Sequence, residues 1–492
     1  MTGGRRLGCV DVRIFLDEFR PFRRGEIALA RRLADEPGFL PERELALLRH
    51  ALRLAQLSSL GGEPDELVDR VGSLRLKLLQ LLAPVLPTEP AQIDAARLVA
   101  RLPKVVRLVA EARQRLFEAG ITSEVALDAE LSHKRLVLVL GGAAGSGYIF
   151  LGALAVLERL GIRPAYLIGC SVGSLLGVIR ARTVEFALPA LLEDVRRIRE
   201  RGVFRLPDAM PRYGLPAALR LDLRSALGEL FQRDGRPLRL DELAIPMDVL
   251  ATGLGPGALS EPRESYARMV DLEVRSAAAL EKVPAATLAR LVGPLVSLAM
   301  SRQVLVPVLL GGDPATRSLA ALDAAGFSAA IPAVLSYDLA SDDHEGARVL
   351  DEVFERHKLV GLVDGALASL VPARYAWESV EAGRIGSRHC AVLALDAIAK
   401  ARGANAPLIP LLRVAAATAD RDKAFWDLHV NFEKAPPFLS LFPSDASLRS
   451  SAAQGEREFE ATARVLPPLL APVPPWKELS PEAIAHVDDR FR

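Results

Sequence analysis

Leu136-Val137-Leu138-Val139-Leu140 runs directly into Gly141-Gly142-Ala143-Ala144-Gly145-Ser146-Gly147, and an apolar-periodic stretch from Tyr148 to Leu160 follows. The first run is apolar throughout, without alternation, which marks a strand buried on both faces, as in a parallel sheet. In the third, Ile149, Phe150, Ala153, Leu154, Leu157 and Leu160 recur at helical spacing, and Gly161 stands where a helix-terminating glycine is expected. Tyr166-Leu167-Ile168 then reads as a second strand. The order strand, glycine loop, helix, strand predicts an α/β fold with a mostly parallel sheet.

Outward from this stretch, Met247–Ala251, Leu359–Val363 and His389–Leu395 read as further short strands. Together they predict a three-layer α/β/α core. A long insertion, about 255–345, contains the most apolar surface candidate, Ala285–Leu310. Its section Val283–Leu310 reads as a lid or membrane-touching surface or, the reading favoured here, as a buried helix pair. Residues 1–132 look helical. Leu67, Val71, Leu74, Leu78, Leu81 and Val85 form an apolar stripe over Pro64–Val85, with Pro64 suited to a first helical turn. Near the other end a short helix is expected over Leu448–Val465, before an extended tail with Pro467, Pro468, Pro472, Pro474 and Pro475. The expected domains are 1–132 (helical), 133–465 (the three-layer α/β/α core) and 466–492 (a proline-rich tail).

The 492 residues suffice for about three domains and a large core. Lys plus Arg is 62 and Asp plus Glu is 61, a net charge of +1, which argues against a nucleic-acid binder. Cys9, Cys170 and Cys390 form no C-x-x-C pair. No metal site, disulfide framework or cofactor is expected, and a reducing, cytoplasmic compartment is. Charged residues interrupt the N-terminal stretch, so no secretory signal is expected. The longest apolar stretch, Leu291–Leu310, is broken by Arg302, Pro294 and Pro307, so no transmembrane helix is expected either. Peripheral contact with a membrane stays open, and oligomeric state is not legible. The Ala-, Arg- and Pro-rich usage suggests a GC-rich bacterial genome.

Gly169-Cys170-Ser171-Val172-Gly173 is a G-x-S-x-G between a strand and an apolar helix. A serine nucleophile needs its Oγ displayed on a sharp strand-to-helix turn, and Gly169 and Gly173 permit close backbone approach there. The glycine loop lacks the lysine of a P-loop and the third glycine of a dinucleotide fingerprint. Donors for an oxyanion fit it best. Asp364 ends an apolar run and precedes Gly365-Ala366, so it reads as a proton acceptor for the serine or as an ordinary Asp-Gly turn. His389, leading a strand, and His429, in a helix-like stretch, would complete a Ser-Asp-His order. Both read more readily as structural histidines.

Taken together, these elements resemble the patatin-like phospholipases. That family has a glycine-rich oxyanion loop after its first strand, then G-x-S-x-G, then D-G-[GA] far downstream. Gly152-Ala153-Leu154, Ile245–Thr252, Ser328–Pro332 and Pro372 match it further, over about 133–460. The resemblance implies a lipid acyl hydrolase acting on lipid or phospholipid esters through a Ser-Asp dyad without histidine. Ser171 would be the nucleophile and Asp364 its base, with Gly365 and Ala366 completing the acceptor motif. The backbones of Gly142, Ala143, Ala144 and Gly145 would form the oxyanion hole. The family's G-G-G-x-[RK]-G is here Gly142-Ala143-Ala144-Gly145-Ser146-Gly147, with two alanines and Ser146 for the basic residue. Two alternatives stay open: a Ser-Asp-His esterase, and a catalytically weak scaffold acting through the helical N-terminal region.

Overall fold

The computed structural model describes residues 18–60, 64–259, 304–397, 409–437, 440–441 and 443–479. Most of the stretch Val283–Leu310 therefore lies outside the described residues. Its end, Leu305–Leu310, is a strand.

By contacts the chain forms two compact units. One comprises Met1–Leu136, Trp377–Ala391 and Ala461–Arg492, the other Val137–Ala376 and Val392–Glu460. The division is thus not linear along the chain, because later segments return to pack with the first helices.

In the first unit, helices Arg20–Asp35, Glu42–Ala55, Pro64–Leu82, Leu102–Glu118 and Glu124–Ser132 enclose a core rich in leucine and valine. Leu67, Val71, Leu74, Leu78 and Val85 are buried there as the stripe predicts, while Leu82 takes the buried place and Leu81 is only partly covered. The late helix is longer than expected, Asp445–Leu470, and holds Pro467 and Pro468 in its last turn, where the sequence predicts an extended tail. The proline-rich chain after it is fixed by the helical unit. The Val473 N–H donates to Ser132 O (2.9 Å), His50 Nε2 lies 2.7 Å from Pro474 O, and the Trp476 N–H donates to Asp128 Oδ2 (3.1 Å).

A buried charge cluster ties this unit together. The Glu26 carboxylate accepts from Arg53 Nε (3.1 Å), Gln56 Nε2 (2.8 Å) and Lys134 Nζ. Arg53 also donates to Leu131 O and Ser132 O (2.9 Å each) and to Ala471 O (2.8 Å). Burial alone would raise the Glu26 pKa, but Lys134 and Arg53 more than reverse this and hold it far below the usual range. Its contribution is therefore present above the ordinary carboxylate range and lost only in strong acid. Glu26→Gln keeps the shape but removes the counter-charge of two buried cations. It is expected to cost about 3 kcal/mol, measured by urea unfolding at neutral pH.

The second unit is built on a sheet whose strands are β1 Arg135–Leu140, β2 Tyr166–Cys170, β3 Met247–Leu254, β4 Leu305–Leu310, β5 Gly361–Val363, β6 Cys390–Asp396 and β7 Leu428–Asn431. Their order is β5-β3-β2-β1-β6-β7, with β4 also pairing β3. The pairs β1–β2, β2–β3 and β6–β7 are parallel, whereas β4 and β5 run antiparallel to β3. Helices such as Phe150–Arg159, Val172–Ala181 and Ala321–Ser328 flank the sheet, giving the expected α/β/α core. His429 is on strand β7, not in a helix: Leu428–Asn431 alternates buried and exposed residues, a period of two that a helix does not have.

Register positions the site. Leu140 pairs with Gly169, so the loops after β1 and β2 leave from one edge of the sheet. Cys170 pairs with Leu250 in parallel, and Val363 pairs with Thr252 antiparallel. β4 covers one edge of β3 over both stretches, so β2 and β5 share its other edge, and one residue beyond each register Ser171 and Asp364 meet beside Ala251.

Candidate active site

Ser171 joins β2 to the helix Val172–Ala181 with φ 52° and ψ −130°. A non-glycine residue there is strained by about 1–3 kcal/mol and persists only when its surroundings over-determine it. They do so here. The Ser171 N–H donates to Ser328 Oγ (2.9 Å), and Ser328 Oγ donates to Leu250 O (2.6 Å). Ser174 Oγ donates to Ser171 O (2.6 Å). The turn also needs its two glycines: a Cβ on Gly173 would lie 2.2 Å from Leu140 O, and one on Gly169 2.5 Å from Gly173 O.

Ser171 Oγ donates to Asp364 Oδ2 at 2.7 Å. Both residues are only 5% exposed. The other carboxylate oxygen of Asp364 accepts the Ala366 N–H at 2.8 Å. Thr252 Oγ1 donates to Asp364 O (2.8 Å) and accepts the Ala368 N–H (3.0 Å), and the Asp364 N–H donates to Ala330 O (2.9 Å). Burial pushes the Asp364 carboxyl up to about 6, against the hydrogen bonds from Ser171 and Ala366, which lower it.

The loop after β1 passes beside this pair. A Cβ on Gly142 would lie 3.3 Å from Ser171 Cβ and 3.0 Å from Ala366 Cβ. The Gly142 N–H is already donated to Leu370 O (2.9 Å). Among the described residues, the N–H groups of Ala143, Ala144 and Gly145 have no acceptor. Ala144 has φ 43°, a left-handed conformation that costs a non-glycine residue about 1–2 kcal/mol. Ala144, Gly145 and Ser171 line one cavity. Its other walls are apolar, from residues such as Leu175, Ile179, Phe204 and Leu441.

The structure thus brings together Gly142, Ala143, Ala144, Gly145, Gly169, Ser171, Gly173, Asp364, Gly365 and Ala366. Among the described residues, the hydrogen bonds of Ser171 and Asp364 include no histidine. His389 is buried in the first unit, with Nδ1 3.4 Å from His133 O. The His429 ring stacks on Trp426 at 4.3 Å, and its Nε2 lies 3.7 Å from Asp396 Oδ2. Ser328, Thr252 and Ser174 were not singled out in the sequence as site residues. Ser328 and Thr252 belong to stretches that bear the resemblance, yet single small hydroxyl residues in apolar runs do not announce their partners.

None of the described helices is long and apolar enough to cross a membrane. The family model described as Patatin-like phospholipase matches residues 138–377. No curated protein matches the chain.

Proposed function

We propose, from the match of residues 138–377 to the patatin-like phospholipase family model, that the protein is a lipid acyl hydrolase cleaving carboxylic esters through Ser171 and Asp364. The observation that carries this reading is the 2.7 Å hydrogen bond from Ser171 Oγ to a buried carboxylate, at the wall of an apolar cavity. Ser171 Oγ gives its proton to Asp364 Oδ2 and bonds to the ester carbonyl carbon. The oxygen that becomes negative is met by the N–H groups of Ala143, Ala144 and Gly145. Gly142 serves as the spacer that lets the loop lie against Ser171. The tetrahedral adduct collapses, the ester C–O bond breaks, and the leaving alcohol takes the proton from Asp364. Water then gives a proton to Asp364 and attacks the acyl-enzyme. Fatty acid is released and Ser171 regains its proton. The apolar cavity suits the acyl chain, since burying each methylene contributes about 0.8 kcal/mol.

Asp364 acts only when ionised. Its raised pKa makes it a stronger base and sets the working range: hydrolysis rises with pH through about 6 and levels off above it. The test combines p-nitrophenyl ester turnover across pH 4–9 with labelling by a fluorophosphonate and peptide mass spectrometry. Label on Ser171 and a rise near pH 6 are expected. Turnover without label on Ser171 would overturn the assignment. Phospholipid as the preferred ester, and contact with a membrane surface during turnover, belong to the same reading and are tested by liposome flotation with and without hydrolysable lipid.

A further inference from the structure

We infer that the described residues of 432–460 (432–437, 440–441 and 443–460), beyond the matched segment 138–377, hold the loop 142–148 in its working shape, with Ser146 and Tyr148 as positioning residues. The inference rests on the reading of Ser171 given above. Ala144–Ile149 is a short 3₁₀ turn, and the backbone bonds that tie the loop to residues outside that turn are Gly142 N–H to Leu370 O at 2.9 Å and Ser146 N–H to Ala143 O at 3.0 Å. The loop also carries Ala144 at a positive φ. A turn in so sparsely populated a conformation keeps its shape only if neighbouring structure imposes it.

The C-terminal segment supplies three such constraints within four residues of the loop. Ser146 is fully buried, and its Oγ donates to Pro436 O at 2.8 Å. Tyr148 OH donates to Leu441 O at 2.9 Å. Burial pushes the Tyr148 phenol up to about 12, so it stays a donor throughout the working range. Between these points the two backbones touch: a Cβ on Gly145 would lie 2.4 Å from Ser440 O. Ser146 stands where the family pattern carries a basic residue. Here a neutral hydroxyl bonded to a carbonyl occupies that place.

The segment is itself fixed at both ends. The Glu433 and Lys434 N–H groups donate to the Glu458 carboxylate at 2.7 and 3.2 Å. The Phe432 ring packs on Phe150, the first residue of the helix after the loop, at 5.8 Å. Ser440 N–H donates to Pro437 O at 3.0 Å. The helix that follows lies flush on the helix Phe150–Arg159. A Cβ on Gly455 would lie 2.0 Å from Ile149 O, and Arg159 Nη1 meets Glu456 at 2.9 Å. The loop is therefore bonded to an element that is anchored to the sheet's own flanking helix. Leu441 and Tyr148 also line the cavity beside Ser171, so one contact serves both loop and cavity wall.

The test uses the full chain with Ser146→Ala, Tyr148→Phe and the double variant. Hydrogen–deuterium exchange over 142–149 is read beside separate kcat and KM for a p-nitrophenyl ester. The expected result is faster exchange confined to the loop. With it kcat falls about tenfold for each single variant and about a hundredfold for the pair, while KM stays within about twofold; removing an oxyanion donor outright costs more. Unchanged exchange in the double variant would overturn the inference, as would a freed loop with unchanged kcat. If the wild-type chain shows no turnover that depends on Ser171, the hydrolase reading fails. The exchange arm still decides whether the segment holds the loop.

Discussion

Asp364→Asn is expected to lower kcat for ester hydrolysis by about 10³-fold and, at the same pH, to make the protein more stable. The rate loss follows from the geometry: an amide at 364 retains the contact to Ser171 Oγ but cannot take its proton. The stability gain follows from the carboxyl's environment. Asp364 is 5% exposed, no cation is among the causes of its shift, and burial raises its pKa from 3.8 to about 6. A raised folded pKa means that folding favours the neutral acid. That benefit is complete below about 3.8 and is lost as pH rises through about 6. At pH 8 the ionised carboxylate therefore destabilises the fold by up to about 3 kcal/mol. The asparagine variant is neutral at every pH. Its melting temperature should match that of the wild type near pH 4 and exceed it above pH 6. Ser171→Ala should lose as much activity without that gain, because it leaves the charge and removes a hydroxyl that donates to it. Equal melting of Asp364→Asn and wild type at pH 8 would show that the carboxylate is not held at a cost.

Gly365→Ala is expected to cost more than about 4 kcal/mol and to give little folded protein, as read from urea midpoint and soluble yield. A Cβ at 365 would lie 1.9 Å from Leu250 O and 3.0 Å from Cys170 Cβ. Leu250 is on β3, bonded between neighbouring strands and buried, so its carbonyl has nowhere to move. Any shift must come from the turn that carries Asp364, which Thr252 and Ala330 hold in register. Ala366→Gly one position on is the control. Ala366 contributes its N–H to Asp364 Oδ1, which glycine retains, so that variant should stay within about 1 kcal/mol of wild type. Tolerance of alanine at 365 would mean that Asp364 is not pinned against β3.

Local pattern determined much of this protein. The unbroken apolar run at 136–140 reads as a doubly buried strand, and the glycines of Gly169-Cys170-Ser171-Val172-Gly173 mark a tight strand-to-helix turn at Ser171. Both are dictated by residues adjacent in sequence. Asp364 was ambiguous because Asp-Gly is an ordinary turn. Only the antiparallel pairing of Val363 with Thr252, on the same edge of β3 as the parallel pairing of Cys170 with Leu250, sets it beside Ser171. His429 was misread because a four-residue strand is too short to show its period. The spent N–H of Gly142, the props at Ser328 and Thr252, and the segment 432–460 against the loop were likewise invisible. Each is a contact between a common small residue and a backbone group tens to hundreds of positions away. Sequence fixes which groups exist, but strand direction and register decide which of them meet.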